Sequence, residues 1–397
     1  MMDILIKPTK LKGKLNIPPS KSLSHRAVIC ASLCKDGESI IKNLILSEDI
    51  KATVEGMKRL IDRHIHNPVI DCKESGSTLR FLIPISLVLN NQCRFTGSSR
   101  LFERPLDIYF DIFNKQNITY KASEDVPLYV KGNLKSGTYK ISGKISSQFI
   151  SGLFFALPLL SDDSNIIIAD SLESKSYVNM TIDVMEKFGV LIKQMNANEF
   201  YIRGNQNYIS GSYTIEADYS QASFFLAANE LGNNIDCLGL NDTSLQGDKE
   251  IVDIIKRYKN AEREIIIDAS QIPDLVPIIS VLASLKKGLA TKIINAGRLR
   301  IKESDRLKAI STEMKKIGAD INETEDGLNI NGVEKLSGGT KVSSWNDHRI
   351  AMSLAIAATS CEKEIILENC QAVNKSYPTF WEDYKYLGGE VNELNNR

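Results

Sequence analysis

An α/β fold assembled from six repeated β-α-β-α units is the architecture this sequence predicts, on three observations. Its 397 residues exceed the ~250–300 at which one hydrophobic core stops growing, so more than one domain is expected. One pattern recurs six times: a short strand-like stretch, a polar loop, an apolar run rich in Leu, Ile and Ala, and another strand-like stretch. A second helix follows in each copy, amphipathic rather than wholly apolar.

The copies begin at Gly13 (GKLNIPPSKSLSHRAVICASLC), Asn67 (NPVIDCKESGSTLRFLIPISLVL) and Gly137 (GTYKISGKISSQFISGLFFALPLL). They continue at Gly211 (GSYTIEADYSQASFFLAANEL), Glu264 (EIIIDASQIPDLVPIISVLASL) and Gly339 (GTKVSSWNDHRIAMSLAIAATS). The chain length divided by six is about 66 residues, close to one βαβ unit plus a helix. Ser47 is expected to cap the first amphipathic helix, with Ile50, Val54, Met57 and Ile61 on one face. Related segments begin near Pro105, Tyr177, Gly247 and Pro378. Ser304 is expected to cap another, with Leu307, Ile310, Met314 and Ile317 inside and Gly318 as its stop.

Each apolar run follows a polar loop, and a helix N-terminus with free N–H groups is a natural anion site. The loops hold Lys21, Ser22 and Arg26; Ser75, Gly76 and Ser77; and Ser146, Ser147 and Gln148. The later ones hold Asp218, Ser220 and Gln221; Pro273 and Asp274; and Asp347, His348 and Arg349. If the six N-termini converge on one cleft, the ligands should be anionic.

Composition excludes more than it selects. Lys plus Arg and Asp plus Glu number 49 each, which argues against a general binder of nucleic acid or acidic membranes. The apolar stretches Leu79–Leu89 and Ile150–Leu160 are too short to span a bilayer. The start MMDILIKPTK lacks the apolar region of a signal peptide. Seven cysteines without a C-x-x-C pair fit reduced cytoplasmic thiols. His25, His64, His66 and His348 show no metal-ligand spacing, so no metal is expected. No P-loop, G-x-G-x-x-G or G-x-S-x-G motif occurs.

What remains is a set of cations, Lys21, Arg26, Arg104, Lys302, Arg306, Arg349 and Lys375, beside two carboxylates, Asp274 and Glu303. Taken singly, each cation reads as solvated surface, and Ser146–Gln148 reads as a helix cap. Together the surrounding motifs closely resemble those of the 5-enolpyruvylshikimate-3-phosphate synthases. They are PPSKSLSHRA in the first loop, SSQF at 146–149, KESDRL at 302–307, NDHRIAM at 346–352 and NKSYPTF at 374–380. ESGSTLRF at 74–81 and TGSSRLFERP at 96–105 match more loosely. The seven fall in family order across nearly the whole chain.

The resemblance implies a two-lobed inside-out α/β barrel, the enolpyruvyl transferase fold, with three units per lobe. One lobe would comprise residues 1–18 plus 217–397 and the other the inserted 19–216, with hinges near Pro18–Pro19 and Glu216–Ala217. The active site would lie in the cleft between them. The implied reaction moves the enolpyruvyl group of phosphoenolpyruvate to the 5-hydroxyl of shikimate 3-phosphate and releases phosphate. By family match Lys21, Asp274 and Glu303 would be catalytic. Phosphoenolpyruvate would meet Lys21, Gly76, Arg104, Gln148, Arg306, Arg349 and Lys375. Shikimate 3-phosphate would meet Lys21, Ser22, Arg26, Ser146, Ser147, Gln148, Ser174, Tyr177, Asp274 and Lys302. Each substrate carries about −3, a load that seven cations less two carboxylates nearly neutralise.

No cofactor is expected, and the partners would be the two small substrates alone, met by a cytoplasmic monomer without nucleic acid or membrane. Glu74, Ser77, Phe81 and Arg298 depart from the family pattern. The related transferases acting on UDP-N-acetylglucosamine carry a Cys in the loop before the Arg-Pro pair, whereas TGSSRLFERP has none. A non-catalytic anion-binding repeat protein should have lost Lys21, Asp274 or Glu303, and all three are present.

Overall fold

In the computed structural model, which describes residues 2–122 and 127–394, the helices in chain order are α1 (Lys21–Leu33), α2 (Glu48–Ile61), α3 (Gly76–Leu89), α4 (Ser99–Phe102), α5 (Asp107–Gln116), α6 (Ser147–Ala156) and α7 (Lys175–Lys187). They continue as α8 (Tyr219–Glu230), α9 (Ile251–Asn260), α10 (Val276–Ser284), α11 (Arg306–Lys316), α12 (His348–Ala358) and α13 (Phe380–Tyr386). The six apolar runs are α1, α3, α6, α8, α10 and α12. A helix apolar on every side must be covered on every side, and α10 and α12 are buried along their whole length.

The chain divides into two compact units, one from the N-terminus to Pro18 plus Ala217 onward, the other Pro19–Glu216. Each has a hydrophobic core of its own and the same inventory of sheets. In Pro19–Glu216 one sheet runs, in spatial order, Val69–Asp71, Gln92–Thr96, Leu128–Lys131, Thr119–Lys121. A second runs Ile192–Asn196, Glu199–Ile202, Ser164–Ile168, Thr138–Ile141, and a pair joins Ser212–Thr214 to Ile40–Lys42. The other unit has Lys341–Ser343, Ile365–Glu368, Asp3–Ile6, Val391–Leu394; then Ile265–Asp268, Ala290–Ile294, Leu328–Asn331, Asp320–Glu323; and the pair Asn234–Leu238 with Lys12–Asn16.

In four copies the strands flanking the apolar helix pair in parallel with each other, around α3, α6, α10 and α12. This is the βαβ connection, in which the helix carries the chain back to the start of the next strand. The α1 and α8 copies differ. The strand before α1 pairs with the strand after α8, and the strand after α1 with the strand before α8. That exchange takes the chain from one unit to the other and back, at the prolines 18 and 19 and at Glu216–Ala217.

Ser47 caps α2 as the sequence suggests, its side chain accepting from the Ile50 N–H at 3.5 Å. At α11 the cap is Asp305, not Ser304: the Asp305 carboxylate accepts from the Lys308 N–H at 3.1 Å. Ser304 instead donates its hydroxyl to Asp347 at 3.1 Å. Two adjacent residues with capping side chains compete there, and the tertiary partner of Ser304 decides between them.

Candidate functional site

Five of the six apolar helices start at a side-chain cap that accepts from their first turn: Ser20, Ser75, Ser146, Asp218 and Asp347. The sixth, α10, follows a single turn of 3-10 helix at Pro273–Leu275. The loops therefore present their residues at helix N-termini, and the expected site residues gather into two clusters, one in each unit.

In Pro19–Glu216, Lys21 opens α1 and its ammonium pairs with Asp49 in the first turn of α2 at 3.0 Å. One turn later Arg26 is held from four sides. It donates to the Thr181 hydroxyl (2.8 Å), the Ser22 carbonyl (2.7 Å), the Tyr177 carbonyl (2.9 Å) and the Ser151 hydroxyl (3.5 Å). Its guanidinium also lies over the rings of Phe81 and Tyr177, at 5.4 and 5.9 Å. Burial pushes Arg26 down to about 10, so it is charged at neutral pH. The arginine thus ties Ser22 and Tyr177 together more than it projects. Ser174, with φ of 52°, sits in the left-handed region just before α7 and accepts from the Tyr177 N–H through its carbonyl at 3.1 Å.

The start of α3 carries the second part of this cluster. A Cβ on Gly76 would lie 2.7 Å from Arg104 Nη1 and 2.9 Å from Arg80 Nη1. Only glycine lets both guanidinium groups lie against the helix start. Arg80 donates to Gln148 Oε1 at 3.2 Å and to the Pro105 carbonyl at 3.1 Å, while Gln148 Nε2 donates to the Ser77 hydroxyl at 3.0 Å. Beneath them His25 meets the Thr53 hydroxyl at 2.7 Å, which meets Thr78, which donates to the Ser75 cap at 2.7 Å. Burial first, then Lys21 and Arg26, hold His25 well below its ordinary range, so it is neutral. This chain of hydroxyls locks the starts of α1, α2 and α3 in register.

In the other unit the organising group is Arg306, first residue of α11 and 1% exposed. Its guanidinium reaches three carboxylates: Asp274 at 2.8 Å, Glu303 at 2.7 Å and Asp347 at 2.7 Å. Asp347 also accepts from the Arg349 N–H as the cap of α12. Arg349 donates to the Asp274 carbonyl (3.0 Å) and carboxylate (3.1 Å). Burial alone would raise Asp274, but Arg349, Lys302 and Arg306 outweigh it and hold the carboxyl well below the usual range. Lys302 goes the other way: burial pushes it down to about 8 against the pull of Asp274.

Lys375 donates to the Asn346 carbonyl at 2.5 Å. That carbonyl is aimed by consecutive left-handed residues, Trp345 and Asn346, both with φ of 53°. Two such non-glycine residues are strained, and Glu313 holds the turn by accepting from Trp345 Nε1 at 2.7 Å and the Ser343 N–H at 3.0 Å. Of the departures, Phe81 is fully buried, edge-on to His25 and Phe155. Arg298 donates to the Ser270 carbonyl, and Ser77 positions Gln148.

The sequence reading missed Asp49, Arg80 and the part played by Asp347. Asp49 and Asp347 each take up positive charge counted above as available to substrate, so the cationic surplus is smaller than expected. Arg80 sits inside the GSTLRF run and looks like a lone charge in an apolar helix. A buried arginine needs partners, and that was the available signal.

A profile of the family described as EPSP synthase (3-phosphoshikimate 1-carboxyvinyltransferase) matches residues 5–384. The chain is 52% identical over 426 residues to the 3-phosphoshikimate 1-carboxyvinyltransferase of Clostridium perfringens (strain 13 / Type A), covering 99% of this chain and 100% of that protein. It is 47% identical over 436 residues to the Clostridioides difficile (strain 630) protein of the same name, covering 100% and 99%. Among solved structures, an EPSP synthase from Acinetobacter baumannii aligns with a TM-score of 0.81 at 20% identity, covering 100% of both chains. The enolpyruvyl transferase NikO from Streptomyces tendae aligns at 0.78 and 15%, covering 99% and 98%. These likenesses give the fold: the inside-out α/β arrangement of the enolpyruvyl transferases, with apolar helices within and small sheets outside.

Proposed function

We propose that this chain, which belongs to the EPSP synthase (3-phosphoshikimate 1-carboxyvinyltransferase) family and so transfers the enolpyruvyl group of phosphoenolpyruvate to shikimate 3-phosphate in aromatic amino acid biosynthesis, does so with the two clusters acting on the same pair of substrates. The observation that carries the assignment is the Asp274–Glu303–Arg306–Arg349 network, in which Arg306 bonds both Asp274 and Glu303 and Arg349 bonds Asp274.

The chemistry needs a proton on the methylene carbon of phosphoenolpyruvate as the acceptor's 5-hydroxyl oxygen bonds to the adjacent carbon. It then needs a proton back from the resulting methyl group as the carbon–oxygen bond to phosphate breaks. Lys21, Asp274 and Glu303 are assigned to these transfers. An Asp274 held low by Arg349, Lys302 and Arg306 is a poor base until something competes for those cations. Phosphoenolpyruvate does so: Arg306 and Arg349, with Arg104, Lys375 and Lys21, are assigned to its carboxylate and phosphate. As the guanidinium groups turn to substrate, Asp274 loses cationic partners and gains basicity beside the acceptor hydroxyl. Gly76 and Gln148 complete this subsite. Ser22, Arg26, Ser146, Ser147, Ser174, Tyr177 and Lys302 are assigned to shikimate 3-phosphate, Arg26 through the groups it holds. The reading extends to a cytoplasmic monomer with these two small anions as its only partners. No helix among the described residues is long and apolar enough to cross a membrane.

Phosphate release from phosphoenolpyruvate, assayed with shikimate 3-phosphate and separately with UDP-N-acetylglucosamine, tests the reading. Release with the first acceptor alone is expected; release with only the second would overturn it. Two variants refine the assignment. Gly76→Ala puts a methyl against Arg104 and Arg80, both nearly buried, at ~1–3 kcal/mol of overpacking. Its KM for phosphoenolpyruvate should rise about tenfold or more with a smaller change in kcat; an unchanged KM would remove Arg104 from that subsite. For Lys302, the charged form is lost as pH rises through about 8. Wild-type kcat/KM for shikimate 3-phosphate should therefore fall above that pH, and Lys302→Arg, which stays charged, should remove the fall. The same decline in the variant would take Lys302 out of phosphate binding.

A further inference from the structure

Asp248 belongs to none of the motifs above. It lies in the turn Gly247–Glu250 leading into α9, 4% exposed, packed against the first turn of α8. The Ser220 hydroxyl donates to its Oδ2, while Oδ1 is buried with no hydrogen-bond partner among the described residues. A buried carboxylate oxygen with no donor is costly when charged and far less so in a neutral acid. The groups facing it are Asp274 from the 273–275 turn, Arg349 from α12 and Asp218 at the cap of α8. From α9, Asp253 is exposed and paired with Lys256, and on its own turn Lys249 reaches away to the Asp242 carbonyl.

We propose that Asp248 is a positioning residue that keeps its own proton so that Asp274 stays ionised, and that losing this proton weakens the hold of Arg349 on the anionic substrate. The inference rests on the assignment of Asp274 and Arg349 to the reaction. Two acids around one arginine cannot both ionise cheaply. Asp274 has Arg306 and Arg349 as direct partners, and Asp248 has, among the described residues, a single hydroxyl, so the proton belongs on Asp248. Burial first, then Asp274, push its carboxyl up to about 7, with Arg349 and the Ser220 hydroxyl opposing and Asp218 adding. Above that range a new negative charge appears beside Arg349 and competes with phosphoenolpyruvate for it.

Two measurements on the full-length enzyme decide the matter. Infrared difference spectra of substrate-free protein between about pH 6 and pH 9 should show a protonated carboxylic acid at the lower pH that disappears at the higher and is absent from Asp248→Asn. In kinetics, the ratio of kcat/KM for phosphoenolpyruvate at high pH to that at low pH should be about tenfold greater in Asp248→Asn than in wild type. Ser220→Ala, which removes a donor to the ionised form, should move the wild-type decline to higher pH. A purely structural Asp248 would lower activity evenly across pH. A missing carboxylic acid band, or an unchanged ratio in Asp248→Asn, overturns the proposal. An enzyme inactive on both substrates would overturn the functional reading instead, and the infrared band would still decide the protonation of Asp248.

Discussion

Asp274→Asn lowers kcat by about 10²–10⁴-fold, the usual contribution of a positioned acid or base, with a smaller effect on the affinity for either substrate. The substitution preserves shape and keeps one side-chain oxygen, placed for Arg306, which meets Oδ1 at 2.8 Å, while Arg349, which meets Oδ2 at 3.1 Å, keeps its bond to the Asp274 carbonyl. It removes the negative charge and with it the capacity to take a proton. Glu303→Gln should behave similarly, because Glu303 shares the same guanidinium at 2.7 Å. Binding of both substrates, followed by equilibrium dialysis, distinguishes loss of chemistry from loss of the site. Turnover within a few-fold of wild type in both variants would mean that neither carboxylate moves a proton.

Arg306→Met has the largest effect expected on stability. The guanidinium is buried and touches Asp274, Glu303 and Asp347, with Ser304 also bound to Asp347. Without it three carboxylates face one another with Arg349 and Lys302 as the main remaining cations. Breaking a buried ion pair by removing one partner costs about 3–5 kcal/mol, so Tm should fall on the order of 10 °C. Arg306→Lys should rescue little, since one ammonium cannot serve three acceptors arranged around a planar fork. The pH dependence has a definite sign. A carboxyl depressed in the folded state contributes stability that is present above its unfolded pKa and lost as pH falls through the folded one. For Asp274, held well below the usual range, that contribution is full at neutral pH and drains away in acid. The deficit of Arg306→Met should therefore be greatest near neutrality and shrink toward about pH 4, where the freed carboxylates can take up protons. An equal loss of Tm at both pH values would contradict the network as described.

The repeats were legible because each one carries two contrasting helices, and contrast survives in sequence. An all-apolar run such as Val276–Ser284 has to be buried whatever surrounds it, and a striped one such as Glu48–Ile61 must lie half in and half out. What could not be read was which strands pair. The α1 and α8 copies have the same local pattern as the other four, yet their strands exchange partners across about 200 residues, and nothing within a copy records that. The cations of the site stood out for their motifs, whereas their carboxylate partners did not. Asp49 sits where any helix would welcome an acid, in the first turn after a Ser cap, and only the fold shows it against Lys21. Ser304 and Asp305 were equally good caps until Asp347, 43 residues from Ser304, took one of them. Asp248 had no local signature at all; its character comes from burial and from Asp274 and Arg349, which lie in later repeats.

In the proposed mechanism Asp274 and Glu303, organised by Arg306, move the protons of the enolpyruvyl transfer. Enzyme held with both substrates in deuterated water, with deuterium followed into the methylene hydrogens of phosphoenolpyruvate and product by NMR, tests it most directly. Wild type should incorporate deuterium, because the carbon is protonated and then deprotonated on each passage through the intermediate. Asp274→Asn and Glu303→Gln should bind both substrates and incorporate it at least 100-fold more slowly, about the lower limit for loss of a general acid or base. Incorporation at the wild-type rate in both variants would contradict the claim and move the proton transfers to other groups.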